Sequence, residues 1–277
     1  MPVTIPFDLD RLRDPALLPI GEKLRGGERL SIADGVTLFR SPDLLGVGAM
    51  ADAANRARHG DRVTFASNQH INPTNVCVLR KTCVFCGYAR LPKEDGAYRY
   101  SLEQVLAESD RADGSITREF HIVGGLDMEA GLEYYQTMFR ALKARHPQVH
   151  IKALTAVEIA HIARIEKMSR KDVLIALREA GLDTLPGGGA ETFSAAVRDV
   201  IADKKLGGAE YIEVHRTAHQ LGIRSNCTML YGHVESLEDR MQHLNMLREL
   251  QDETGGFQAL IPLAFHPENN RLSHILH

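Results

Sequence analysis

Three of the four cysteines in this 277-residue chain, Cys77, Cys83 and Cys86, lie within ten residues of one another. They follow an apolar run at residues 63–66 that is typical of a buried strand, so the pattern predicts three thiolates on the loop that leaves a strand. Thiolates select soft metals and bind iron-sulfur clusters or zinc. Because Cys227 is far away in the sequence, three cysteines on one loop suit a [4Fe-4S] cluster with one iron left open.

Zinc and disulfides are the competing interpretations of these cysteines. A structural zinc site usually pairs two Cys-x-x-Cys steps or adds two nearby histidines, and only Cys83 and Cys86 form such a step. Disulfides are disfavoured because few cysteines and no signal-peptide pattern are typical of a cytosolic protein. His215 and His219 fall on one predicted helix face, but the glutamate of His-Glu-x-x-His is absent, which favours a structural pair.

The elements that must position the cysteine loop alternate between short β-type runs and helical segments. Residues 1–60 predict a helical N-terminal extension, and residues 61–277 predict a barrel core. Several helical segments begin with a capping pattern, as at Ser31, Ser101 and Ser169. Repeated βα units predict a parallel sheet in an α/β fold. The six β-type runs are residues 63–66, 119–123, 149–154, 182–185, 223–229 and 257–263.

Composition and charge indicate which partners to expect. Acidic residues number 36 against 33 basic ones, for a net charge of −3, so no general attraction to nucleic acid or to an anionic membrane is expected. No apolar run approaches the roughly 20 residues that span a bilayer. We therefore predict a cytoplasmic protein whose partner is a small molecule.

Several sequence motifs of the chain resemble those of a known family. The cluster loop, with Phe85 directly before its last cysteine, resembles that of the radical S-adenosylmethionine (SAM) enzymes. The surrounding motifs resemble one family among them, the aminofutalosine synthases of the futalosine route to menaquinone. The match runs from about Leu44 to Glu268 and implies a partial (β/α)6 TIM-like barrel, with the chemistry at the carboxyl ends of its strands. The motifs that carry it are residues 68–77, 121–125, 185–191 and 251–268.

The resemblance also implies roles for individual residues, although it assigns no catalytic acid or base. Three cysteines bind three irons of the cluster, and SAM binds the fourth. The implied ligands are Cys77, Cys83 and Cys86; the implied SAM contacts are Phe85, Tyr88, Gly124, Gly125 and Glu191; and the candidate substrate contacts are Asn72, Asn226 and His266.

The activity implied by the resemblance consumes SAM. A one-electron reductase such as flavodoxin or ferredoxin reduces the cluster, and the resulting 5′-deoxyadenosyl radical adds to 3-[(1-carboxyvinyl)oxy]benzoate. The product is 6-amino-6-deoxyfutalosine, formed with loss of carboxylate. The alternatives within this class are cyclic dehypoxanthine futalosine synthase and the deazaflavin-forming enzymes. Outside it, they are a shortened inactive homologue and a zinc-binding module.

The chain departs from the family pattern in two ways. Five residues, 78–82, separate the first two cysteines where three are usual, which makes Cys77 the less certain ligand. The chain also ends nine residues after Glu268, where relatives are expected to continue. We therefore expect the last strand to have an uncovered edge, with Ile261, Leu263 and Phe265 poorly sheltered, and the protein to be prone to association.

Overall fold

The structure, a computed structural model, describes residues 5–275 of the chain. The outer ends of both predicted domains, residues 1–4 and 276–277, lie outside this range. The described residues divide into two compact units. One unit is formed from Met1–Phe65 with Ser236–Asn245, and the other from Ala66–Glu235 with Met246–His277. The predicted boundary at residue 60 between an extension and a barrel core stays a prediction.

The first unit is helical. Its helices pack around the buried side chains of Leu17, Ile20 and Met50. The capping pattern at Ser31 is confirmed, because its hydroxyl accepts from the Asp34 N–H and the Asp34 carboxylate accepts from the Ser31 N–H. Two 3₁₀ turns, Leu9–Arg11 and Pro15–Leu17, precede the first helix. The helices are α1 (Leu18–Gly26), α2 (Ile32–Arg40), α3 (Leu44–His59) and the first part of α10 (Leu237–Thr254).

The second unit is built on parallel strands. Its strands form two sheets, one in the order β1-β2-β3 and one of β4 and β5. Single parallel bridges from Thr184 to Lys152 and from Leu185 to Ser225 join the two sheets into one array. The predicted α/β fold, a partial TIM-like barrel, is confirmed. The strands are β1 (Asn68–Ile71), β2 (Glu119–Ile122), β3 (His150–Ala153), β4 (Ser225–Tyr231) and β5 (Phe257–Ala264).

Helices cover one face of this array. Their apolar sides and the alternate strand residues Phe120, Ile122 and Ile151 form one buried core. The predicted caps Ser101 and Ser169 each accept from a backbone N–H in the first turn of their helix. Within residues 5–275, no helix combines the length and the apolar character that crossing a bilayer requires. The helices are α4 (Leu102–Ser109), α5 (Leu132–Arg145), α6 (Ala156–Glu166), α7 (Arg170–Glu179), α8 (Ala195–Ile201), α9 (Gly208–Gln220) and the rest of α10.

Two of the six predicted strands need correction. The run at residues 63–66 is not a strand, and its side chains Val63 and Phe65 are 89% and 93% exposed; the first strand lies just after it, in the polar segment of β1. The run at residues 182–185 makes only the two single bridges. The expected exposure along the last strand is confirmed for Ile261 and Leu263, whereas Phe265 is half-buried.

Candidate functional site

The cysteine loop leaves the carboxyl end of β1 and is fixed by backbone hydrogen bonds on both sides of Cys77. The Cys77 N–H donates to the Arg90 carbonyl at 2.8 Å, and the Val78 N–H donates to the Leu126 carbonyl at 3.0 Å. Tight turns take up the five residues before Cys83, whose N–H donates to the Leu79 carbonyl at 2.8 Å. The two extra residues are therefore accommodated by turns within the loop, and the backbone hydrogen bonds beside Cys77 are kept.

The three loop cysteines share one environment, and Cys227 has another. Cys83 is buried, and burial raises the pKa of its thiol to about 12 against the opposing charge of Lys205. Cys77 and Cys86 are half-buried and close enough to influence the Cys83 thiol electrostatically. The Cys227 thiol contacts the Ala259 carbonyl of β5 instead, at 3.6 Å. Within residues 5–275, no three His, Cys, Asp or Glu side chains converge as a set of metal ligands.

These thiols fit an iron-sulfur cluster by their donor chemistry and by the setting of their loop, and not by a converged geometry, because their side chains are not gathered as a ligand set among the described residues. Soft sulfur donors from three positions of one loop are the donor type that such clusters take. Apolar side chains shield the loop: Cys83 packs in a buried cluster with Ile201 and Leu272, and Phe85 lies against that cluster. A shell of this kind limits solvent access to a bound cluster.

The glycine pair that follows β2 lies directly against the cysteine loop. A Cβ on Gly125 would lie 2.1 Å from the Val76 carbonyl oxygen and 3.0 Å from the Cys77 Cβ, so only glycine fits there. The Gly125 N–H donates to the Thr74 carbonyl at 2.9 Å. The Gly124 N–H donates to a Glu158 carboxylate oxygen, also at 2.9 Å. Both N–H groups are therefore occupied by the protein.

Glu158 is a buried carboxylate at the start of α6 that the sequence analysis did not identify. Its other oxygen accepts from the Thr155 N–H at 2.7 Å, in a capping box with that residue. Burial raises the pKa of Glu158 to about 7, even though these backbone hydrogen bonds act in the opposite direction. The Thr-x-x-Glu pattern at residues 155–158 is the signal that could have revealed it.

Glu191 lies in the loop after Leu185 and is held by a buried lysine. The Lys205 Nζ is 2.6 Å from a Glu191 carboxylate oxygen, and the two side chains are 14% and 9% exposed. The same ammonium lies 5.2 Å from the centroid of the Phe85 ring. Burial opposes the charge of Lys205, but the Glu191 carboxylate outweighs it and raises the pKa of the ammonium. The structure thus brings the predicted residues Cys83, Phe85 and Glu191 together around a lysine that the sequence analysis missed.

The remaining predicted contact residues differ in their exposure and in their hydrogen-bond partners. Tyr88 is partly exposed, and its hydroxyl hydrogen-bonds to that of Tyr98. The Asn72 amide donates to the Val123 carbonyl at 2.8 Å, which ties the start of the cysteine loop to the end of β2. Asn226 is buried on β4. His266 follows β5 and is exposed.

The histidine pair on α9 is structural, as the sequence favoured. A nitrogen of His215 lies 2.8 Å from the Ser225 hydroxyl, and a nitrogen of His219 lies 2.9 Å from the same oxygen. Burial lowers the pKa of His215 to about 3 and that of His219 to about 4, so both rings are neutral. The pair therefore anchors α9 to β4.

Comparison with known proteins identifies the family. The model of the Radical SAM superfamily matches residues 71–247, a span that contains the cysteine loop, the glycine pair and Lys205. The chain belongs to this superfamily. It is therefore a radical SAM enzyme whose cofactors are a [4Fe-4S] cluster and SAM, as the sequence predicted.

The most similar relatives point to a narrower group. The chain is 43% identical to aminodeoxyfutalosine synthase of Thermus thermophilus over 95% of its own length and 70% of that protein. It is also 43% identical to the Streptomyces coelicolor protein of that name, over 88% of its own length and 62% of that protein. Cyclic dehypoxanthine futalosine synthase of Streptomyces coelicolor is 37% identical to the chain, over 92% of the chain and 65% of that protein. The chain therefore spans about two thirds of the length of these relatives.

The fold has a solved counterpart. The structure of methylornithine synthase matches with a TM-score of 0.71 over 91% of this chain and 70% of that one. At 19% identity this likeness concerns the fold alone.

Proposed function

We propose that this protein transfers the 5′-deoxyadenosyl group of SAM to 3-[(1-carboxyvinyl)oxy]benzoate. The product is 6-amino-6-deoxyfutalosine, formed with loss of carboxylate in the futalosine pathway of menaquinone biosynthesis. The observation that carries the proposal is the 43% identity to two aminodeoxyfutalosine synthases over most of this chain. The protein's part is to hold two reactants in one orientation and to exclude water.

The proposed cluster ligands are Cys77, Cys83 and Cys86, with SAM at the fourth iron. When bound, the cluster supplies the electron that cleaves SAM. The shared environment of the three thiols supports this ligand set, and so does the separate position of Cys227 on β4. The hydrogen bonds on both sides of Cys77 support its inclusion despite the longer spacing.

The proposed SAM contacts are supported by the groups that the protein leaves available. The N–H groups of Gly124 and Gly125 are already occupied, and the Gly125 carbonyl accepts from the Asp127 N–H at 3.1 Å. The Gly124 carbonyl oxygen is therefore the backbone group that we propose meets the ammonium group of SAM. The buried Lys205 ammonium fixes the Glu191 carboxylate, which we propose accepts from the ribose hydroxyls. Phe85 and Tyr88 would then contact the adenine ring.

The proposed substrate contacts are Asn72, Asn226 and His266. Asn72 and His266 lie just beyond the carboxyl ends of β1 and β5, whereas Asn226 is the second residue of β4. Asn72 uses one amide N–H for the Val123 carbonyl, so its side-chain oxygen and its second N–H are the groups it offers to a ligand. A barrel of this kind collects such groups at the carboxyl ends of its strands.

The proposed electron donor is an acidic one-electron carrier such as flavodoxin or ferredoxin. Cys86 lines a cavity of about 680 Å³ together with Arg80, Arg90 and Arg271. Arg90 and Arg271 donate to backbone carbonyls, and Glu94, which pairs with Arg80 at 3.1 Å, offsets only part of the positive charge of the three arginines. A basic surface beside a proposed cluster ligand favours an acidic partner.

The test is anaerobic reconstitution followed by mass spectrometry of the products from SAM, the enolpyruvyl benzoate and a reductant. The proposal expects aminofutalosine and free methionine. Formation of cyclic dehypoxanthine futalosine from its own precursor, with no aminofutalosine, would favour the alternative that the 37% identical relative represents. Zinc without iron or labile sulfide would favour a zinc-binding module, and a reconstituted cluster without any product would indicate an inactive homologue.

A further inference from the structure

The face of β1, β2 and β3 that points away from the helices is lined by ionisable side chains. In these strands the apolar residues alternate with polar ones, and Phe120, Ile122 and Ile151 face the helices. The pairing register places His70, His121 and Lys152 side by side on the opposite face. Such an interior is usually filled by branched apolar side chains. A row of two histidines and a lysine therefore calls for a functional explanation.

The row has a defined geometry. The His70 and His121 rings are stacked, with centroids 4.7 Å apart and planes 18° apart. The Lys152 Nζ is 2.7 Å from one oxygen of the buried Glu119 carboxylate, and the His121 Nδ1 is 3.8 Å from the other. Burial raises the pKa of Glu119, but His121 and Lys152 outweigh it and lower that pKa to about 2, so the carboxylate is charged.

Counting donors shows that this row can bind an anion. An ammonium group has three N–H donors, and Glu119 is the one polar partner of Lys152 among the described residues. The His70 residue is exposed, and its side chain has no hydrogen-bond partner in the same range. Partial desolvation and the neighbouring His121 lower its pKa, which favours the neutral ring. The pair of Lys152 with Glu119 would be sufficient as a structural contact without the two stacked rings. The two stacked rings place aromatic side chains beside the unused lysine donors.

The row lies close to the proposed SAM site. His70 is one residue before the end of β1, where the cysteine loop begins, and His121 is one residue before the end of β2, where the glycine pair follows. At about 3.3 Å per residue, the row is roughly one layer of side chains below these loops.

We propose that this row binds the ring and the ring carboxylate of an aromatic acid. The aromatic ring lies against the His70 and His121 pair, and the carboxylate accepts from the free N–H groups of Lys152. Glu119 keeps Lys152 charged and oriented. The inference rests on the proposed function, in which the substrate is a benzoate, and it assigns that benzoate to the barrel interior.

The test compares two ligands and two double variants of the full protein, reconstituted with its cluster but without reductant. The ligands are 3-[(1-carboxyvinyl)oxy]benzoate and the corresponding benzamide, which lacks the ring charge. The variant Glu119→Gln with Lys152→Met removes both charges together, so that no buried charge is left unpaired. The control is Lys143→Met with Asp183→Asn, because that pair has a similar separation of 2.6 Å and lies outside the row.

Calorimetry should show that the Glu119→Gln, Lys152→Met variant binds the benzoate about tenfold more weakly or worse, since a charge-assisted hydrogen bond is lost. Its affinity for the benzamide should change less than about twofold, and the control should match the wild type with both ligands. His70→Leu should weaken both ligands to a similar degree, because each retains the aromatic ring. Equal affinity of the wild type for the two ligands, or equal losses for both in the double variant, would overturn the assignment.

The outcome is separable from that of the proposed function. A Lys152-dependent preference for the benzoate without any aminofutalosine product would leave the carboxylate site standing and refute the activity. Aminofutalosine formed by the Lys152 double variant with the KM of the wild type would support the activity and refute the site.

Discussion

Replacing Lys205 by methionine should destabilise the protein far more than the same change at the neighbouring Lys204. The Lys205 side chain is 14% exposed and lies 2.6 Å from a Glu191 oxygen, so Lys205→Met leaves a buried carboxylate without its cation. Breaking a buried ion pair from one side typically costs about 3 to 5 kcal/mol. The Lys204 side chain is 70% exposed and 3.6 Å from Asp203, and such surface pairs contribute less than about 1 kcal/mol.

Thermal unfolding followed by circular dichroism should measure the difference. In a protein of this size 1 kcal/mol corresponds to about 2 to 4 °C, so Lys205→Met should lower Tm by roughly 6 to 20 °C. Lys204→Met should shift it by less than about 4 °C. The double variant Glu191→Gln, Lys205→Met should have a higher Tm than Lys205→Met, because it leaves no buried carboxylate without a cation. Equal Tm values for the two single lysine variants would refute the buried-pair argument.

Lys205 should also raise the midpoint potential of the bound cluster. Its ammonium favours the thiolate form of Cys83, and a nearby positive charge stabilises the reduced state of an iron-sulfur cluster. In Lys205→Met we therefore expect a more negative midpoint potential in a redox titration monitored by electron paramagnetic resonance. The midpoint potential of Lys205→Arg, which keeps the positive charge, should be close to that of the wild type. A potential unchanged in Lys205→Met would separate Lys205 from the cluster.

Three further outcomes follow from the site. Cys83→Ala should abolish the visible absorption of the reconstituted cluster, whereas Cys227→Ala should retain it; the reverse result would reassign the ligands. Gly125→Val should lose both SAM affinity and cluster content, since its side chain would displace the Val76 backbone, and a variant with wild-type iron content would contradict this packing. The pKa of Glu158 rises from its ordinary 4.5 to about 7, so the native state binds more protons than the unfolded chain between these values and stability falls as pH rises through that window. Urea unfolding at pH 5 and pH 7.5 should show this loss in the wild type and not in Glu158→Gln.

Local sequence patterns were sufficient to predict where several helices begin. The Ser31 and Ser101 capping boxes need only residues three positions apart, and both are present in the structure. The Cys83 and Cys86 step and the glycine pair were equally readable, because each is a contiguous motif. Lys205 was not, since it meets Glu191 only after the thirteen intervening residues of loop and helix have folded.

The misplaced first strand has a physical reason. The apolar run at residues 63–66 has the composition of a strand, but Val63 and Phe65 are exposed. The actual strand, β1, has the sequence Asn-Gln-His-Ile, and Ile71 is its one buried side chain. Because β1 pairs with β2 on one side only and His70 faces the barrel interior, its composition reflects that polar interior more than a core. Hydrophobic periodicity therefore fails at the strand whose end carries the cysteine loop.

A continuous set of contacts connects the loops that the proposed ligands share. The Glu158 carboxylate joins the start of α6 to Gly124, the Gly125 N–H joins the glycine pair to Thr74, and the Thr74 hydroxyl donates to the buried Asp127 at 3.1 Å. Asp127 is in turn held by Arg99, whose Nε lies 2.6 Å away. None of these groups needs to touch SAM to affect it. Because Glu158 and Thr74 accept from the two glycine N–H groups and thereby fix the backbone of the pair, the geometry of the proposed SAM site depends on partners that lie outside it.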